Sequence, residues 1–272
     1  MQTEVRYHML RPRQIIERRN ACPIAYIPIG TLEWHGLHCP TGTDTLQAED
    51  FALLCAQKGG LVFPSLYYGE SRSESMIESC AADKEKVAEL MELDPGNFTP
   101  DKMPFSPVEQ IYNYSKLLLH ILAEVESLGF KVAVLIAGHY PLVDQARAAV
   151  LYFNKRRYSR YHGMLAWACA DYLLVKDQYD CAGDHAGGWE TSHMLATHPE
   201  CVDMTELGAP GSPLVSVFGK MSVWDANAKF GKETLEKSAE IAVKEAHHRL
   251  NHREQYMMHG CGLEERLWEK EI

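Results

Sequence analysis

The segment Lys131 to Ala137, KVAVLIA, is an unbroken apolar run that follows directly on a long helix-patterned stretch. A strand that is apolar at almost every position has to be covered on both faces, as a parallel strand is between layers of helices. The preceding stretch, Ser106 to Leu128, carries helix signals at both ends. Ser106-Pro107-Val108-Glu109 offers an N-cap serine, a proline at the first helical position and a glutamate at the third, and Gly129 offers a C-cap. Between them Val108, Ile111, Ser115, Leu118, Leu119, Leu122 and Val125 recur at helical spacing, which predicts the buried face.

The same alternation runs through much of the chain. Pro23 to Gly30 reads as a buried strand, Thr45 to Lys58 as a helix stopped by Gly59-Gly60, and Leu61 to Phe63 as the start of a second strand. Gln145 to Arg157 reads as a helix, Gly163 to Ala170 as a strand, Trp189 to Thr197 as a helix and Leu214 to Phe218 as a late strand. Gly231 to Gln255 is a long charged helix expected to pack one stripe on the outside. Strands alternating with helices predict an α/β fold with a mostly parallel sheet. Residues 70–104 break the pattern and are read as an insertion, either a lid or subunit-contact loop or a plain exposed excursion. The expected organisation is one domain over residues 1–272 carrying that insertion.

In open α/β sheets, ligands bind beyond the carboxyl ends of the strands. Two predicted strands deliver metal-ligand residue types there. The first is followed by Glu33-Trp34-His35, the later one by Gly138-His139. Glu33 and His35, two apart, face one side in extended chain. Asp44 comes nine residues after His35, where Pro40 and Gly42 suggest a turn that brings it back. Imidazole suits zinc, iron or nickel, and a carboxylate can bridge two cations. His38 is read as a bystander. A third constellation, Gly183 to Ser192, packs His185, an Ala-Gly-Gly turn and Glu190 into ten positions. Glu190 would sit in the first turn of a helix, where an acid also compensates the helix dipole.

Composition excludes several other classes. The net charge of −10 disfavours a nucleic-acid partner. No apolar stretch approaches the ~20 residues of a membrane span. The charged N-terminus lacks a signal-peptide core, which makes the cytoplasm the default location. The eight cysteines include no CxxC pair, which removes zinc-ribbon and thioredoxin-like motifs and leaves small core hydrophobes as the plain reading.

Taken together, Ile27-Pro28-Ile29-Gly30-Thr31-Leu32-Glu33-Trp34-His35-Gly36 through Cys39-Pro40 to Gly42-Thr43-Asp44 resembles the N-terminal signature of the creatininase (creatinine amidohydrolase) family. Gly129-Phe130, Gly138-His139, and His185-Ala186-Gly187 through Glu190-Thr191-Ser192 resemble its later signatures, in order, over roughly residues 20–200. The resemblance implies a three-layer αβα fold and a homo-oligomer, usually a homohexamer. It also implies hydrolysis of a C–N bond in a small cyclic amide or formamide. One or two divalent metals per chain are implied, zinc or manganese, with iron a further option. Glu33 and His139 would bind one metal, His35 the other, and Asp44 both. His185 would transfer protons, Glu190 would act near the metal or structurally, and Tyr140 would contact substrate. Where creatininase follows G-H-Y with a second-metal glutamate, this chain has Pro141, and Ala170 and Cys181 stand near where the creatinine-enclosing tryptophans are expected. Rival readings are a deformylase or peptide-processing branch of the family and a non-catalytic scaffold.

Overall fold

The structure is a computed structural model that describes residues 4–69, 82–99, 102, 104–155 and 163–256. Its sheet has the order β2-β1-β3-β4, all parallel, from β1 (Ile24–Ile29), β2 (Leu61–Val62), β3 (Val132–Ala137) and β4 (Leu165–Cys169). In the central pair Ile24 lies opposite Val132 and Ile29 opposite Ala137, so β1 and β3 end level with one another. Every residue of both strands is buried, as the apolar runs require.

Because side chains alternate across a strand, each central strand feeds two cores. Ala25, Ile27 and Ile29 join Ala133, Leu135 and Ala137 on one face. That face is covered by α4 (Pro107–Ser127) and α5 (Tyr140–Asn154) through Leu118, Leu122, Leu142 and Phe153. Ile24, Tyr26, Val134 and Ile136 point the other way, onto α2 (Thr43–Gln57) and α8 (Ala228–Asn251), where Phe51, Cys55, Leu235 and Ala239 receive them. The fold is therefore the expected three-layer αβα sandwich. Burying each of the larger of these side chains is worth about 1.5–3 kcal/mol. Among the described cysteines, Cys22, Cys39, Cys55 and Cys169 are buried, Cys181 is half-buried and Cys201 is exposed; all are free thiols.

Three local expectations change. Helix α4 has the predicted capping box, Ser106 accepting from the Glu109 backbone while Glu109 accepts from Ser106, but its buried stripe is Gln110, Tyr114, Leu118, Leu122 and Val125. Val108 and Ile111 are exposed. Burial follows the i, i+4 ridge, and the polar Gln110 can lie on it because its amide donates to the Phe105 carbonyl. Helix α5 starts at Tyr140, five residues before the predicted Gln145, because Pro141 sits in its first turn, where proline is favoured. The segment 214–218 forms no strand and makes only isolated bridges through Phe218 to His185 and Ala186.

The described residues of the 70–104 insertion include a helix. Helix α3 (Lys84–Leu90) contributes Val87 and Ala88 to a small separate core with Trp34 and Phe98. Residues 70–81, 100, 101 and 103 of the insertion lie outside the described residues. No helix among the described residues is long and apolar enough to cross a membrane.

Candidate metal centre

Level strand ends put two loops side by side. The chain leaving β1 carries Glu33 and His35, and the chain leaving β3 passes through Gly138 to His139, the N-cap residue of α5. Asp44 lies in the first turn of α2. Glycine is needed at two of the crossings: a β-carbon on Gly138 would overlap the Asp44 carbonyl, and one on Gly30 would overlap Thr45. The sandwich thereby brings Asp44 between the two strand ends.

Asp44 turns one carboxylate oxygen each way. Its Oδ1 is 3.0 Å from His35 Nε2 and its Oδ2 is 3.0 Å from His139 Nδ1. Glu33 Oε2 stands 3.2 Å from the same His139 nitrogen. Glu190, in the first turn of α7 (Gly188–Thr197), reaches His35 Nε2 at 3.4 Å and also accepts from the Ala186 backbone at 2.7 Å. Glu190 thus stands both at a helix start and beside His35. His185 Nδ1 lies 3.7 Å from Glu33 Oε2, and its ring lies 4.5 Å from that of His35.

Three overlapping groups have potential ligand atoms within 4.8 Å of one another: Glu33–Asp44–His139, His35–Asp44–Glu190 and Glu33–His35–His185. Glu33, His35, Asp44, His139 and Glu190 are buried. Tyr140 stands beside them at the start of α5 with 71% of its surface exposed, and Pro141 in the same turn has no side-chain donor.

Three carboxylates beside three imidazoles form an electrostatically loaded site. For His139, burial favours the neutral ring, but the hydrogen bonds it donates to Asp44 and Glu33 outweigh it and push the imidazole up to about 10. His35 is likewise held well above its usual value, burial being overcome by Asp44 and then Glu190. Burial raises Glu33 and Asp44, but the histidines outweigh it and hold both carboxyls below their usual range. Without a cation the cluster must trap protons to balance its carboxylates, and a divalent metal can take over that balance, so the donor set fits a metal. His185 differs: burial, then the charge on His35, lowers its pKa.

One supporting residue, Asp184, was not singled out in the sequence, and another, His38, was read there as a bystander. Asp184 accepts from the backbones of Trp189 at 2.6 Å and Glu190 at 3.1 Å, clamping the start of α7; the cue was an acid just ahead of a glycine-led helix. Burial, then the charge of Glu190, pushes its carboxyl up to about 8. His38 belongs to none of the three groups, yet its Nε2 lies 3.0 Å from the Thr191 hydroxyl, joining the Glu33–Asp44 loop to α7. Its cue was faint: one histidine three residues after another.

Comparison with known proteins places the fold among solved structures. A crystal structure of creatinine amidohydrolase is 20% identical, with a TM-score of 0.65 over 92% of this chain and 98% of its own. A creatininase structure described as the manganese form gives the same identity and TM-score over 92% and 99%. A putative creatinine amidohydrolase from Bacteroides fragilis NCTC 9343 is 18% identical, with a TM-score of 0.63 over 91% and 97%. No curated protein sequence matches the chain. The family pattern for Creatininase, described as creatinine amidohydrolase, matches residues 8–90 and 112–240. That match takes in every residue of the candidate metal-ligand groups and all four strands of the sheet, and the chain belongs to the creatininase family.

Proposed function

We propose that the chain is a metal-dependent amidohydrolase that cleaves a C–N bond of a small cyclic amide or formamide. The observation that carries this reading is the shared position of Asp44 in two ligand triads, one completed by Glu33 and His139 and the other by His35 and Glu190. Two divalent metals would be held by these triads. Glu190 supplies from α7 the carboxylate that Pro141 cannot supply from α5. Zinc and manganese are the candidate metals, in keeping with a zinc–zinc form and a manganese form of creatininase among the similar structures.

When bound, such metals polarise a carbonyl and lower the pKa of water to about 7. The chain's own residues do the rest. Glu33, Asp44 and Glu190 anchor the charge, and the sheet beneath them keeps the site rigid. His185 starts neutral, takes up the proton released as water attacks, and delivers it to the departing nitrogen. Glu33 beside its Nδ1 favours the protonated ring once it forms. Tyr140 is free to meet substrate at the rim. One similar structure is a creatininase complexed with creatine, which supports a small-molecule substrate here. Homo-oligomeric assembly, a cytoplasmic location and one domain spanning the chain belong to the same proposal.

The reading is tested by incubating zinc- or manganese-loaded protein with cyclic amides and formamides and following ring opening of the first and amine release from the second. Turnover that chelator abolishes and metal restores is the expected result. A fully loaded protein that cleaves no member of either class overturns it.

A further inference from the structure

Three rings stand in series from the ligand cluster to the surface. His35 is fully buried, the His185 side chain is 14% exposed, and Phe218 is 52% exposed. Ring centroids are 4.5 Å apart from His35 to His185 and 6.4 Å apart from His185 to Phe218, with tilts of 43° and 35°. A single exposed phenylalanine is ordinary. This one is distinguished by how firmly its backbone is held.

Phe218 N–H donates to the His185 carbonyl at 2.8 Å, and His185 N–H donates to the Phe218 carbonyl at 2.9 Å. Two residues upstream, Ser216 is buried with φ of +53°, a conformation that costs a non-glycine residue of order 1–3 kcal/mol. Its hydroxyl donates to Asp83 Oδ2 at 3.1 Å. The Val215 carbonyl accepts from Trp34 Nε1 at 2.9 Å, and Trp34 lies between Glu33 and His35 in the chain. The segment that presents Phe218 is thus tied to the ligand loop at one end and to His185 at the other. Strain and hydrogen bonds are spent on holding an apolar ring at the water-facing side of His185.

We propose that Phe218 is a specificity-determining residue: its ring forms the wall beside His185 that takes a flat, unsaturated part of the substrate. The preferred substrates are then amides that carry a planar, unsaturated or aromatic group, over small aliphatic ones. Stacked or edge-on ring pairs contribute enough beyond area burial to make such a preference measurable. The inference rests on the metal-dependent reading of the same site.

Acetohydroxamate and benzohydroxamate separate the two. Both chelate metal through the same oxygens, and only the second carries a flat ring. Calorimetric titration of the zinc-loaded full chain is expected to show benzohydroxamate binding at least threefold tighter. Phe218→Ala should abolish that preference while leaving zinc content and acetohydroxamate affinity unchanged, and Phe218→Tyr should restore it. A preference that is absent in the unmodified protein, or that survives in Phe218→Ala, overturns the inference alone. Failure of both hydroxamates to bind zinc-loaded protein overturns the reading of the site and this inference with it.

Discussion

Gly138 lies so close to Asp44 that a β-carbon on it would overlap the Asp44 carbonyl. The residue before one candidate ligand therefore packs directly on the backbone of another, and the distance between His139 and Asp44 is fixed by main chain. Core packing leaves little room to absorb such an overlap. Gly138→Ala is expected to destabilise the protein by about 1–3 kcal/mol and to weaken metal binding. Urea unfolding and zinc titration check both effects; unchanged zinc affinity would show that the spacing is not critical.

His139 and His185 should separate cleanly on substitution. His139 faces two carboxylates inside one triad, so His139→Ala should lose metal and turnover together. His185 belongs to neither of the triads joined by Asp44, so His185→Ala should keep its metal and lose turnover by about 10²–10⁴-fold, the range for a proton-transfer group. Full turnover by His185→Ala on a true substrate would remove it from the reaction.

The metal-free protein should depend on pH in a direction set by His139. Folded His139 holds its proton up to about 10, while an unfolded histidine loses it near 6.5. Its contribution to stability is therefore complete below about 6.5 and is lost as pH rises through about 10. Metal has to displace the same proton, so zinc affinity should rise about tenfold per pH unit for each proton released in that window. Thermal melts of metal-free and zinc-loaded protein from pH 6 to 9 should therefore diverge. Parallel profiles would mean that His139 is not titrating against the metal.

Asp184 acts on the site through α7. It accepts the backbone N–H groups of Trp189 and Glu190, the role of a helix cap. Asp184→Ala should cost about 1–2 kcal/mol, and Asp184→Asn, which keeps an acceptor oxygen, should recover most of it. Denaturant unfolding decides; an Ala variant as stable as the parent would mean that the clamp contributes nothing.

Much of this arrangement can be read from the chain itself. The run from Lys131 to Ala137 could only be a strand covered on both faces, and Ser106 and Glu109 announced the start of α4, because both signals are local. The placement of Glu33, His35 and His139 follows from strand ends, which a parallel sheet gathers on one edge. The meeting of Glu190 with His35 is different: it depends on how α7 docks against the loop after β1, and no local pattern encodes that. The α4 stripe lies at Leu118, Leu122 and Val125 as the spacing predicts but was misplaced in the helix's first half for a related reason. Gln110 and Tyr114 are buried by what packs on them, whereas hydrophobicity alone favoured Val108 and Ile111. The early start of α5 was legible in Pro141, a residue suited to a helix's first turn. Phe218 carried no signal, since its meaning comes from the two hydrogen bonds it exchanges with His185.

The most direct test counts metal per chain in full-length protein purified without chelator and reconstituted with zinc or manganese, beside Asp44→Ala treated identically. Because Asp44 takes part in both triads, the account predicts about two metals in the unmodified chain and loss of both in the variant, with the fold retained by circular dichroism. One metal in the unmodified chain, or none, or an Asp44→Ala variant that keeps its full complement, would contradict it.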